Sequence, residues 1–260
     1  MDFFTSRDWF NREPPFAFTA EHFIFIALAM AIGVLLGLLL RKKEKKTIKI
    51  VLISLWSLSL FVEVFYYASL YIRCGLGQLT FNLRTMLPFH SCSMFMYIFP
   101  LAMFVDNKYI KTAANNFLIA VNMIMGFITL FVGCVNDNAS VFSFNGMQTL
   151  IYHALIVIVP MIMVITNYYD VQIWDIKWGM ILFLSLAFTM WMFDLIAKCD
   201  YFYIFDGTTF PVLKVISENV PAIVWTLITV SCYVITGFAM HFLIILIKYL
   251  FHKKKERASS

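Results

Sequence analysis

Residues 22–40 read HFIFIALAMAIGVLLGLLL and run straight into Arg41-Lys-Lys-Glu-Lys-Lys46. After His22 the apolar run holds no ionisable side chain. At about 1.5 Å of rise per residue a helix of this length reaches roughly 28 Å, close to the ~30 Å hydrocarbon core of a bilayer. Lipid offers the backbone no hydrogen-bond partner, so such a run crosses as a helix. Six further runs have the same character: 48–71, 86–105, 112–134, 147–167, 177–197 and 220–249. The sequence therefore predicts an all-α, polytopic membrane bundle of about seven transmembrane helices. It forms a single transmembrane domain over residues 1–252, followed by a basic tail at 253–260.

Composition agrees. Of 260 residues, 62% are hydrophobic and 13% charged, with a mean hydropathy of +0.82. A soluble domain carries about 25% charged residues, enough to coat its surface; this chain has too few. The net charge of +5 sits mainly in two clusters, Arg41–Lys46 and Lys253–Arg257. Both abut apolar runs rather than interleave with aromatics, which argues against nucleic acid as a partner. They suit juxtamembrane charge that also touches anionic headgroups.

Lysine and arginine also set the expected orientation. If the first run enters from outside, the inner segments 41–49, 106–111, 168–177 and 248–260 hold fourteen of the twenty basic residues. The positive-inside rule then puts the N-terminus outside and the C-terminus in the cytoplasm, in a cell membrane. The first eighteen residues carry Asp2, Asp8 and Glu13 and are too acidic for a cleavable signal. The first helix is therefore expected to act as its own insertion signal. The longest outer connection, 198–219, is rich in aromatics and suits a lid at the interface.

Ionisable groups at bilayer depth are costly and usually mark the bundle interior. On the expected topology Glu63, His90, Cys92, His153, Asp194 and His22 all fall in the outer half, which predicts a polar chamber opening toward the outer leaflet. Asn115, Asn116 and Asn122 are expected to bond neighbouring helices, and His241 to be structural. The richest stretch is Leu87-Pro-Phe-His-Ser-Cys-Ser-Met94. With Pro88 in a first helical turn, His90 and Ser93 share a face. Cys92 then points about 160° away from His90, since two residues turn ~200°. The five cysteines show no CxxC or CxxH spacing, so no zinc ribbon or redox motif is visible.

Four stretches together resemble the YwaF family of bacterial integral membrane proteins, relatives of vertebrate transmembrane protein 164. They are Phe18-Thr-Ala-Glu-His22, Leu87-Pro-Phe-His-Ser-Cys92, Tyr152-His153-Ala154 and Asp200-Tyr-Phe-Tyr203. The resemblance implies an acyltransferase that moves fatty acyl chains between phospholipids, with a nucleophilic cysteine near the second of these motifs. That cysteine corresponds either to Cys92 or to the position of Phe89.

Three classes of function follow. The first is a phospholipid acyltransferase or lipid hydrolase with Cys92 as nucleophile, His153 or His90 as base, and Asp194 or Glu63 as orienting group. It needs no cofactor, and its partner is membrane phospholipid. A variant in which His90, His153, Asp194 and Glu63 hold zinc is weakened because no two histidines sit at i, i+4. The alternative is a proton-coupled small-molecule transporter, since interior Glu, Asp and His line such paths. A scaffold, the third class, leaves the polar cluster without a reason.

Overall fold

The computed structural model describes residues 18–77, 80, 87–136, 144–204 and 216–259. Among them every regular element is helical. The helices are α1 (Ala20–Leu40), α2 (Lys45–Gly75), α3 (Met94–Phe104), α4 (Lys108–Asn116), α5 (Met123–Asn136), α6 (Phe144–Ile165), α7 (Ile176–Ala197) and α8 (Ala222–Ser259). A π-helical turn, Phe117–Asn122, joins α4 to α5, so these three form one crossing. Six helical segments are long and apolar enough to span a membrane, and α3 is a shorter apolar helix.

Two crossings form the centre. The α4–α5 crossing is 72% buried and α6 is 78% buried, against 22–28% for α1, α2, α7 and α8. A helix that is apolar all round belongs in such a core, and from Tyr152 to Val159 each residue of α6 is buried. The helices α1, α2 and α5 pack on α6, α7 packs on α4, and α8 packs on the π turn. Small residues set the close approaches. A methyl group added at Gly37 of α1 would lie 2.8 Å from the Ile165 side chain, and one added at Gly179 of α7 would lie 3.0 Å from Asn116 backbone. Without a hydrophobic force between helices in lipid, such close packing is what holds them together.

The third crossing departs from expectation. The sequence predicts a helix over 86–105 beginning at Pro88; the helix begins at Met94. Its eleven residues extend about 16 Å, half the hydrocarbon thickness. The preceding stretch, Leu87–Ser93, is irregular and buried or half-buried. His90 and Ser93 therefore do not share a helical face, and the 160° separation of His90 from Cys92 does not apply.

Side chains from elsewhere explain how this backbone stays unwound. Tyr67 of α2 donates to the Leu87 carbonyl (3.3 Å), and the Leu87 N–H donates to the Tyr201 hydroxyl (3.2 Å). The Asn122 amide donates to the Ser91 carbonyl (3.2 Å), and Tyr152 of α6 to the Cys92 carbonyl (3.4 Å). Irregular backbone inside a membrane protein is tolerated when protein groups satisfy it in this way.

A second irregular stretch follows α7. Cys199, Asp200, Tyr201, Phe202 and Ile204 are all buried, so this part of the expected interfacial lid is a plug within the bundle. Residues 205–215 of that lid lie outside the described residues. Phe202 (φ 65°) and Tyr203 (φ 57°) are consecutive left-handed, non-glycine residues. Three side chains of α8 hold them: Tyr233 donates to the Phe202 carbonyl (3.1 Å), Trp225 to that of Tyr203 (3.1 Å) and Thr226 to that of Ile204 (2.7 Å).

Candidate active site

The unwound Leu87–Ser93 segment sits where α2, α6, the π turn, α8 and the plug meet. Its backbone is anchored by side chains of α2, α6, the π turn and the plug, and the Ser91 side chain bonds α8. Ser91 bonds the Tyr233 hydroxyl at 3.3 Å. Ser93 donates to Oε1 of Glu63 at 3.5 Å, and Gln148 of α6 donates to Oε2 of the same carboxyl at 2.6 Å. Glu63 is only 4% exposed, and Cys92 is half-buried. A carboxyl on α2, an amide on α6 and Ser93 of the unwound segment thus form one polar group.

The two histidines complete it. His153 of α6 is buried, and its Nδ1 lies 2.7 Å from the Thr149 carbonyl. A carbonyl accepts only, so Nδ1 carries the proton and Nε2 holds a lone pair. That Nε2 is buried and has no hydrogen-bond partner. A neutral imidazole held in this tautomer is arranged to accept a proton. His90 is held by rings alone: Tyr201 edge-on at 4.9 Å and Tyr203 stacked at 5.5 Å. Its Nδ1 is also buried without a partner. Buried polar atoms are nearly always paired, so each of these unpaired imidazole nitrogens marks a place for a further polar group.

Of the five residues singled out in the sequence, Glu63 belongs to this hydrogen-bonded group, Cys92 is tied to α6 through its carbonyl and Tyr152, His153 packs its ring edge-on against that tyrosine, and His90 packs on Tyr201 and Tyr203. Asp194 stands one layer back, with Oδ1 accepting from the Tyr201 N–H (3.1 Å). Its link to the cluster runs through the Tyr201 ring against His90. Neither carboxylate bonds an imidazole: Glu63 orients Gln148 and Ser93, and His153 is oriented by a backbone carbonyl. No hydrogen bond joins the Cys92 thiol to either imidazole. The zinc variant finds no ligand set, since among the described residues no three of His, Cys, Asp and Glu gather closely enough.

The remaining polar groups each bond a protein group, although His241 Nδ1 and the Oδ1 atoms of Asn115, Asn116 and Asn122 are also buried without a partner. His22 is fully buried, with Nε2 2.7 Å from the Leu130 carbonyl and Nδ1 accepting from the Phe18 N–H. His241 bonds the Gln172 carbonyl at 3.2 Å. Asn116 reaches Tyr169 outside its own helix and Asn122 reaches Ser91, whereas Asn115 bonds Lys111 within its helix. Sequence reasoning missed Gln148, Tyr67 and Tyr233, and quoted Tyr152 and Tyr201 only as parts of motifs, without a role. A glutamine inside an apolar run was a further available signal.

Beside the cluster an open groove of about 510 Å³ lies between α2 and α3. Trp56, Leu60, Glu63, Val64, Tyr67 and Tyr71 line it from α2, Met96 and Tyr97 from α3, and Pro88 from the unwound segment. Glu63 is thus shared by the groove and the polar cluster.

A family model described as TMEM164 family matches residues 17–238. The chain belongs to the TMEM164 family. All four motifs that carried the resemblance lie within the matched residues, as does the whole polar cluster. Membership in the TMEM164 family and the spans together make this a multi-pass membrane protein. No curated protein and no solved structure matches the chain.

Proposed function

We propose that this protein is a membrane-embedded enzyme acting on acyl esters of phospholipid, by acyl transfer or hydrolysis, in a bacterial plasma membrane. Its N-terminus faces outward and its C-terminus the cytoplasm, as the basic connections favour, and the site opens toward the outer leaflet. The observation that carries the reading is the unpaired, buried Nε2 of His153, next in sequence to the tyrosine that bonds the Cys92 carbonyl, with an open apolar groove between α2 and α3.

The step follows from those groups. His153 Nε2 takes the Cys92 proton, and the thiolate attacks the ester carbonyl. A thioester forms, and the lysophospholipid oxygen leaves with the proton from His153. A lipid hydroxyl or a water then attacks the thioester, giving its proton to the same nitrogen, and the thiol is restored. In resting sites such contacts are often long and close when substrate binds. Glu63, through Ser93 and Gln148, and Asp194, through Tyr201, act as positioning residues.

Purified protein in proteoliposomes with acyl-labelled phospholipid tests the reading. Label should move to lysophospholipid or appear as free fatty acid, and Cys92→Ala should abolish the movement. Undiminished transfer in that variant removes the nucleophile; no transfer by the native protein removes the reaction.

The carrier reading has one observation on its side. Two irregular segments, Leu87–Ser93 and Cys199–Ile204, meet inside the bundle, as discontinuous helices do at transporter sites. Proton uptake into proteoliposomes that depends on Glu63 would favour it over the enzyme.

A further inference from the structure

Helix α6 meets the candidate site through one short stretch, Gln148–His153. Gln148 and Tyr152 are four residues apart and share a face. Gln148 holds the Glu63 carboxyl at 2.6 Å, and the same carboxyl accepts from Ser93 at 3.5 Å. One turn on, the Tyr152 hydroxyl donates to the Cys92 carbonyl at 3.4 Å. Cys92 and Ser93 are consecutive, so one face of α6 grips the unwound segment at the residue that carries the thiol. The Tyr152 ring is only 1% exposed. It stands edge-on to the imidazole of His153, with centroids 5.4 Å apart and planes at 85°. Tyr152 thus touches both the main chain of Cys92 and the ring of His153.

The Cys92 carbonyl does not depend on this bond to be paired. It already accepts the Phe95 N–H at 3.1 Å as α3 begins, and Tyr152 takes its second lone pair. A phenylalanine would fill the same space. What the hydroxyl adds is a fixed spacing between α6, which carries His153, and the backbone that carries Cys92. The imidazole is itself fixed, with Nδ1 2.7 Å from the Thr149 carbonyl. The remaining variable is where the thiol sits, and irregular backbone has no ladder of its own to set that.

We propose that Tyr152 is a positioning residue for the thiol–imidazole step: its hydroxyl sets the height of Cys92 along α6, and its ring sets the edge that His153 presents. The proposal rests on the acyl-ester reading above for its functional meaning, but the reactivity of the Cys92 thiol is measurable without any ester. Thiolate formation needs the imidazole lone pair within hydrogen-bonding reach of the thiol. A misplacement of about 1 Å costs up to roughly a hundredfold in rate.

The test uses full-length protein in phosphatidylcholine vesicles and a lipophilic iodoacetamide, with peptide mass spectrometry to follow each cysteine separately. The Cys92 thiolate displaces iodide while His153 keeps the thiol proton. Tyr152→Phe should slow alkylation of Cys92 about tenfold, with the melting temperature unchanged because the Phe95 N–H still pairs the carbonyl. Cys232, exposed on α8, is the internal standard and should react at its native rate. In acyl transfer kcat should fall by the same factor and KM should stay. Placing 4-aminophenylalanine at position 152, which keeps a donor at the same point, should restore both rates. Loss of a mere packing contact would loosen the segment and speed alkylation. Faster or unchanged alkylation of Cys92 in a folded Tyr152→Phe protein therefore overturns the proposal, and so does a rise in KM at constant kcat. Slower alkylation in the variant, with no acyl transfer by the native protein, removes the reaction and leaves the positioning role. Transfer by Tyr152→Phe at the native kcat does the reverse.

Discussion

His22 and His153 are both buried, but their surroundings differ in one respect. Around His22, where α1 meets α5, both ring nitrogens are occupied: one bonds the Leu130 carbonyl and the other the Phe18 N–H. Around His153 one nitrogen is fixed by Thr149 and the other has nothing. The first histidine is a fastener between helices; the second keeps one nitrogen unpaired. Burial alone does not separate function from structure in a membrane interior. An unpaired nitrogen narrows the choice, and since His241 shares that pattern the neighbours must decide.

Five substitutions would break or sharpen that contrast. The largest effect is expected at the reacting groups. Cys92→Ala or His153→Ala should lower acyl transfer in proteoliposomes at least about a hundredfold, the scale of a lost acid–base catalyst, with little change in thermal midpoint. His22→Ala should do the opposite. It leaves the Leu130 carbonyl buried and unpaired at a cost of about 1–3 kcal/mol, seen as a lower melting temperature in detergent. Activity per folded molecule should be unchanged. If His22→Ala abolished activity at full stability, the contrast would collapse.

Smaller effects belong to the supports of the unwound segment. Asn122→Ala removes the donor to the Ser91 carbonyl and should cost about 1 kcal/mol in stability, within the range for interhelical bonds in membranes. It should also lower kcat more than it raises KM, by disturbing the Cys92 backbone. Tyr67→Phe removes only one hydroxyl, 3.3 Å from its acceptor, and should cost about 0.6 kcal/mol. A change in melting temperature larger than that for Asn122→Ala would mean the support is apportioned differently.

The spans were legible because length and apolarity alone decide them: Ala20–Leu40 needs no partner to declare itself. The start of α3 was not. Pro88 fits a first helical turn and an irregular segment equally well, and the choice is made by Tyr67, Asn122, Tyr152 and Tyr201, which are 20 to 114 residues away from their acceptors or donors. Glu63 was visible as a carboxylate amid apolar residues, whereas its partner Gln148 looks like a tolerated polar residue until α2 and α6 are packed together. The stretch Asp200–Tyr203 was read as interfacial because tyrosines favour a half-wet position. It turns inward because Asp194, Trp225, Thr226 and Tyr233 meet its backbone groups, contacts that no local pattern encodes.

The paired left-handed residues Phe202 and Tyr203 bear on how the molecule is made. Each such conformation costs about 1–3 kcal/mol and persists only where neighbours enforce it. Here the enforcers sit on α8, 22 to 31 residues further along the chain. Until that helix is in place, the plug has no reason to hold its shape and Tyr203 no reason to lie on His90. The environment of His90 is thus assembled only when α8 docks, well after α3 has been made.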